Sequence, residues 1–110
     1  MEGRAPIARP LIYDKDERGS WEVIIVLPGV EIIPEGTFIR CGNVKVVIMA
    51  DTVRRIEDWV FSWCSSLIFI KLSRNLEFIG TFAFSSCSLT SIFIPPSCRE
   101  IGVYAFCKVS

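Results

Sequence analysis

Two neighbouring stretches decide the fold: LIFIKLSRNLEFIGTFAFSSC, Leu67 to Cys87, and LTSIFIPPSCREIGVYAF, Leu89 to Phe106. Laid over each other on their Ala-Phe pairs, they are one phrase written twice: apolar-x-x-Ile-x-apolar, a turn, apolar-x-x-Ile, then a small residue and Phe. Working outward, the same phrase recurs towards the N-terminus. Phe38, Phe61, Phe84 and Phe106 lie 23, 23 and 22 residues apart. Ile33, Ile56, Ile79 and Ile101 each precede one of them by five residues, and Cys41, Cys64 and Cys87 each follow by three, with Val109 in that place in the last copy. Val30, Val53, Leu76 and Cys98 hold a further column, as do Thr37, Val60, Ala83 and Ala105. Each copy opens on Trp21, Val44, Leu67 or Leu89, continues to Ile24, Val47, Ile70 or Ile92, and then to Val26, Met49, Leu72 or Ile94. So many columns in register define an internal repeat, which fixes the architecture before any local propensity is consulted.

The columns dictate what each copy does. The opening segment, rich in Val, Ile and Phe, suits a short strand. Pro28-Gly29, Asp51-Thr52, Arg74-Asn75 and Pro95-Pro96-Ser97 then turn the chain. A second apolar pair leads to the Phe segment, for which the spacing predicts a short helical or 3₁₀ turn. One coil is too small to bury its own apolar side, whereas coils stacked at about 4.8 Å build a continuous core. The prediction is a β-rich repeat solenoid of about four 22–23-residue coils with short parallel strands, spanning 21–43, 44–66, 67–88 and 89–110. Residues 1–20 form a separate N-terminal segment. Its Leu11, Ile12 and Tyr13 make it a candidate cap for the first coil.

These phrases closely resemble the BspA-like leucine-rich repeat, Leu-x-x-Ile-x-Ile-Pro, a turn, then Val-x-x-Ile-Gly-x-x-Ala-Phe-x-x-Cys, over residues 21 to 110. VVIMADTVRRIE, Val46 to Glu57, also resembles leucine-rich-repeat proteins of diatoms. The first coil departs from the pattern at Pro34 and Gly36. The resemblance implies a curved, right-handed solenoid used for adhesion or protein binding, in a family of diverse functions.

Composition narrows the chemistry. At 110 residues the chain supports one domain, and 51% hydrophobic against 22% charged residues excludes a disordered chain. Twelve basic residues balance twelve acidic ones, so generic nucleic-acid binding has no electrostatic source. Histidine is absent, which removes the commonest general base and metal ligand together. Neither Gly-x-x-x-x-Gly-Lys-Ser/Thr nor Gly-x-Gly-x-x-Gly occurs, and nothing places two carboxylates across a cleft. Cysteines 23 residues apart do not make the short pairs typical of zinc sites, and their column reads as buried thiols, although stacked neighbours fall within disulfide reach. Cys107 lies off the column and is the expected accessible thiol. The Asp14-Lys15-Asp16-Glu17 run reads as a solvated linker. No apolar run approaches the roughly 20 residues of a membrane span, and the N-terminus lacks a secretory core. The expectation is an intracellular, non-enzymatic protein with no cofactor or metal, which binds neither membrane nor nucleic acid.

Three features remain once the repeat is accounted for. Trp59, Phe82 and Tyr104 share one column, two residues before the Phe, with Trp63 nearby in sequence. Outward, they make an aromatic binding strip; otherwise they form a stabilising stack between coils. On the strand face, Val23, Ile25, Val46, Ile48, Phe69 and Phe93 stand between inward positions where a solvated strand would be polar. Either the N-terminal segment or a partner covers them, or the sheet tolerates apolar surface. The candidate partner-binding residues are therefore Trp59, Phe82, Tyr104, Trp63, Ile25, Ile48, Phe69 and Phe93. Finally, the last coil offers an open end for self-association. The leading reading is a protein-interaction module with an unidentified protein partner, and the alternative is a purely structural or self-assembling solenoid. Glu31, Arg54, Glu77 and Arg99, alternating in sign along one column, read as a ladder of ion pairs that holds the coils in register.

Overall fold

A computed structural model describes residues 8–10 and 21–108. Strands β2 (Val23–Val26), β4 (Val46–Met49) and β6 (Phe69–Lys71) come from the opening segments of successive coils and pair in parallel. Strands β3 (Ile32–Ile33), β5 (Arg55–Ile56), β7 (Phe78–Ile79) and β8 (Glu100–Ile101) come from the second apolar pairs and form another parallel sheet. These are sheets A and B. Their register is that of the sequence columns: Ile24 lies beside Val47 and Val47 beside Ile70, while Ile33, Ile56, Ile79 and Ile101 line up across sheet B. Strand β1 (Ala8–Pro10) stands outside the repeat and pairs antiparallel with β2, so it occupies the N-terminal edge of sheet A. The rest of the candidate cap, including Leu11 to Tyr13, and the Asp14 to Glu17 run lie outside the described residues.

The core is the stack of inward columns. Ile24, Val47, Ile33, Ile56, Ile79, Phe61, Phe84, Leu67 and Leu76 are all fully buried. Phe38, Phe61, Phe84 and Phe106 stack with ring centroids 5.5, 5.3 and 5.4 Å apart. Each coil thus packs its phenylalanine on the next, and the strand spacing brings the rings close to contact.

The third side of each coil corrects one expectation, since no helical or 3₁₀ turn forms among the described residues. The reason lies in the hydrogen bonds. In the first coil the N–H groups of Thr37, Ile39 and Cys41 donate three residues back, to Pro34, Gly36 and Phe38. Those of Gly36, Phe38 and Arg40 donate instead to Asp58, Val60 and Ser62 of the next coil. Half the donors are therefore spent between coils, and what remains is a run of linked β-turns. Two positions per run need positive φ, as the third residue of a type II turn does. Gly36 fills the first in coil 1 at 68°, and Trp59, Phe82 and Tyr104 fill it in later coils at 65°, 57° and 58°. Arg40, Trp63, Ser86 and Lys108 take the second position at 60–62°.

The expected four alike coils become about three complete ones and a fourth that forms only its second strand, β8. Two sequence details accompany this. Pro95 occupies the column of Ala50, whose N–H donates to the Val26 carbonyl, and proline has no N–H to give, although Ser73 in the same column makes no such bond and β6 still pairs. The link into coil 4, Cys87-Ser88-Leu89, is also one residue shorter than Cys64-Ser65-Ser66-Leu67, which is where the 22-residue spacing arises. Ser88 N–H consequently bonds to Leu67, and Ser91 to Ile94 run past β6 without pairing to it.

Candidate functional site

The turns position the aromatic column. Trp59 and Phe82 stack with centroids 4.3 Å apart and planes 12° from parallel, and Phe82 and Tyr104 follow at 5.2 Å and 26°. Trp59 and Phe82 are half-buried and Tyr104 is exposed. The sequence-predicted strip exists as a stack, in which Phe82 spends both ring faces on its neighbours and Trp59 and Tyr104 one each. Trp63 sits at the other positive-φ column, exposed, with the Arg40 guanidinium 5.5 Å from its ring centroid. No ring contact joins it to Trp59, Phe82 or Tyr104.

The outward face of sheet A holds the other candidates. Val23, Val46 and Phe69 form one row across the strands, and Ile25, Ile48 and Lys71 form the next. Exposure grows along the stack. Ile25 is half-buried, Ile48 is 39% exposed, Phe69 52% and Phe93 76%. Alternation along the strands makes this unavoidable: with Ile24, Val47 and Ile70 turned inward, their neighbours must point out. On sheet B, Arg55 shields the corresponding apolar surface. It lies 4.1 Å from the Phe78 centroid and bonds to Glu57 at 2.7 Å, which raises its own pKa.

Polar columns tie the coils together. Arg54 and Arg99 both pair with Glu77, at 3.2 and 3.7 Å, whereas Glu31 and Arg54 are linked only through the backbone. Asp51 accepts from the Arg74 N–H at 3.0 Å and pairs with its side chain; that backbone hydrogen bond is the main cause of its lowered pKa. The cysteine column is buried and free of disulfides. Cys64 and Cys87 donate their thiols to the carbonyls of Phe38 and Phe61, and burial pushes the Cys87 thiol up to about 12. Cys98 and Cys107 are partly exposed thiols. Sequence reasoning missed a buried polar pair, Ser62 and Ser85, whose hydroxyls meet at 2.7 Å. Their shared column, one residue after the Phe, was the available signal.

Stacked parallel coils with aligned apolar, phenylalanine and cysteine columns define a leucine-rich-repeat solenoid. The chain belongs to the family described as the BspA type leucine rich repeat region (6 copies), whose model matches residues 24–110. A leucine-rich repeat protein from Bacteroides ovatus ATCC 8483 superposes with a TM-score of 0.76 at 28% identity, over 93% of this chain and 30% of its own. The leucine rich repeat protein of T. pallidum gives a TM-score of 0.54 at 23% identity, over 82% of this chain and 63% of its own. The chain therefore spans only part of either relative. Comparison with curated proteins gave no match. Among the described residues no helix is long and apolar enough to cross a membrane.

Proposed function

We propose that the chain is a non-enzymatic protein-interaction module that uses the outward face of sheet A, with the aromatic column of the turn side as a second candidate surface. The observation that carries this reading is the apolar surface spread over two outward rows, from half-buried Ile25 through Ile48 and Phe69 to Phe93 of coil 4 at 76% exposure. Contiguous apolar surface of this kind marks interaction sites, whereas scattered single residues do not. The family supports the reading in kind, since stacked repeats present extended surfaces suited to binding. A reducing, intracellular setting suits five cysteines that all remain thiols.

The test replaces Ile48 and Phe69 together by serine, and separately Trp59 and Phe82 by serine. Thermal midpoints are then measured beside capture of protein partners. Capture lost in the sheet A variant at an unchanged midpoint is the expected result. Capture indifferent to that variant contradicts the reading. A second reading, a self-assembling solenoid, draws on coil 4, where Ile101 is 47% and Val103 66% exposed while Ile33, Ile56 and Ile79 are fully buried. It predicts a mass by light scattering that rises with concentration.

A further inference from the structure

Sheet A ends before the solenoid does. Among the described residues no backbone hydrogen bond joins Ser91–Ile94 to β6, so the edge of Phe69–Lys71 facing coil 4 has no strand against it. Between that edge and coil 4 lies a cleft of about 380 Å³. Phe69, Leu72, Ile92, Phe93 and Pro95 supply its apolar lining, and Lys71 and Arg74 its charge. The link after Cys87 is one residue short, and although Ile92 and Ile94 of coil 4 pack against the core, the backbone of Ser91–Ile94 makes no hydrogen bond to β6.

We propose that this cleft binds an extended polypeptide segment, which adds to β6 as a further strand of sheet A and places a carboxylate side chain against Lys71. The proposal rests on the reading of the chain as a protein-interaction module and names the partner's form. Three observations select that occupant. An open strand edge offers alternating N–H and C=O groups, which another extended backbone satisfies group for group. The opposite edge of the same sheet already takes such an addition, because β1, a segment outside the repeat, pairs antiparallel with β2. Charge supplies the third. Arg74 is held by Asp51 at 3.0 Å, whereas Lys71, whose charge also acts on Asp51, makes no ion pair within 4 Å among the described residues, which leaves its ammonium open to an acidic side chain. The dimensions agree: the three residues of β6 span about 10 Å at about 3.3 Å each, and the volume falls in the lower part of the roughly 300–1,000 Å³ range of ligand sites.

The experiment is an amide NMR titration of the full chain with an acetylated, amidated heptapeptide that alternates valine and threonine around a central glutamate. Two control peptides carry N-methyl groups on alternate amides, or lysine in place of the glutamate. The expected result is a set of shifts centred on residues 69–74 and 91–94, with the N-methylated peptide at least about tenfold weaker, since it keeps the side chains but loses the ladder. In Lys71→Glu, an exposed position, the preference between the glutamate and lysine peptides reverses. A second variant inserts a serine after Cys87 and carries Pro95→Ala, which restores both the spacing and the missing N–H, and it loses binding. Absence of shifts at millimolar peptide, equal binding of the N-methylated peptide, or shifts that follow protein concentration alone (a second copy in the cleft) would overturn the proposal. If the peptide fails while the Ile48/Phe69 variant still loses partner capture, the edge inference falls and the module reading stands.

Discussion

Phe82 sits where backbone and side chain pull in opposite directions. Its φ of 57° lies in the left-handed region, which costs an ordinary residue about 1–2 kcal/mol. Its ring is stacked on both sides, by Trp59 and Tyr104, and each such pair contributes about 0.5–1.5 kcal/mol beyond area burial. The two effects are of similar size, so the stack offsets the strained turn. Phe82→Ala removes the stack and keeps the strain, while Phe82→Gly removes both. Denaturant midpoints should therefore place the glycine variant above the alanine variant by about 1 kcal/mol, the reverse of their usual order. An alanine variant at least as stable as the glycine variant would remove strain from the account. The sequence showed the aromatic column plainly, because its spacing is that of the repeat. It could not show the positive φ: in coil 1 Gly36 announces it, but Trp59, Phe82 and Tyr104 carry no such mark.

At the scale of the elements, the strands of sheet A and the turns that close them were legible, whereas the second sheet and the turns around the Phe were not. Period-two apolar spacing placed β2, β4 and β6 and their registers, since a slip by one residue would turn every core side chain outward. The linked turns around the Phe escaped because their hydrogen bonds alternate between their own coil and the next, a choice made only once coils are stacked. The failure of coil 4 to pair goes with the shortened link and its 22-residue spacing, which in the sequence alone looks like ordinary variation. Of the candidate sites, the sheet face followed from alternation alone, whereas the separation of Trp63 from the stack depended on turn geometry. Close seating of one turn on another gives an element-scale test. A Cβ on Gly80 would lie 2.5 Å from the Asp58 backbone nitrogen, whereas one on Gly42 would meet only Ser65 Oγ, at 3.7 Å. Gly80→Ala should cost about 1–3 kcal/mol through forced displacement of backbone, with Gly42→Ala close to neutral. Equal thermal midpoints for the two variants would mean that the coils are spaced more loosely than described.

For the whole molecule, stability and binding come from one arrangement. Every complete coil spends its backbone groups on the coils beside it, on sheet A, sheet B and the turn side. Among the described residues, sheet A and sheet B continue from coil to coil until coil 4, where sheet B goes on to β8 and sheet A stops at β6. That same region carries two exposed apolar side chains, Phe69 of β6 and Phe93 of coil 4, and Lys71, which makes no ion pair among the described residues. The most direct test of this arrangement is native-state amide hydrogen exchange, read residue by residue. Slow exchange is predicted for Phe61 and Phe84, which donate to Ala83 and Ala105 of the next coil at 2.8 and 2.7 Å, and for Lys45, which donates to Glu22 at 2.7 Å. Fast exchange is predicted for Ser91 to Ile94. Protection of Ser91–Ile94 equal to that of Val46–Met49 would contradict the account, because it would mean that these residues pair as a strand and that β6 has no open edge.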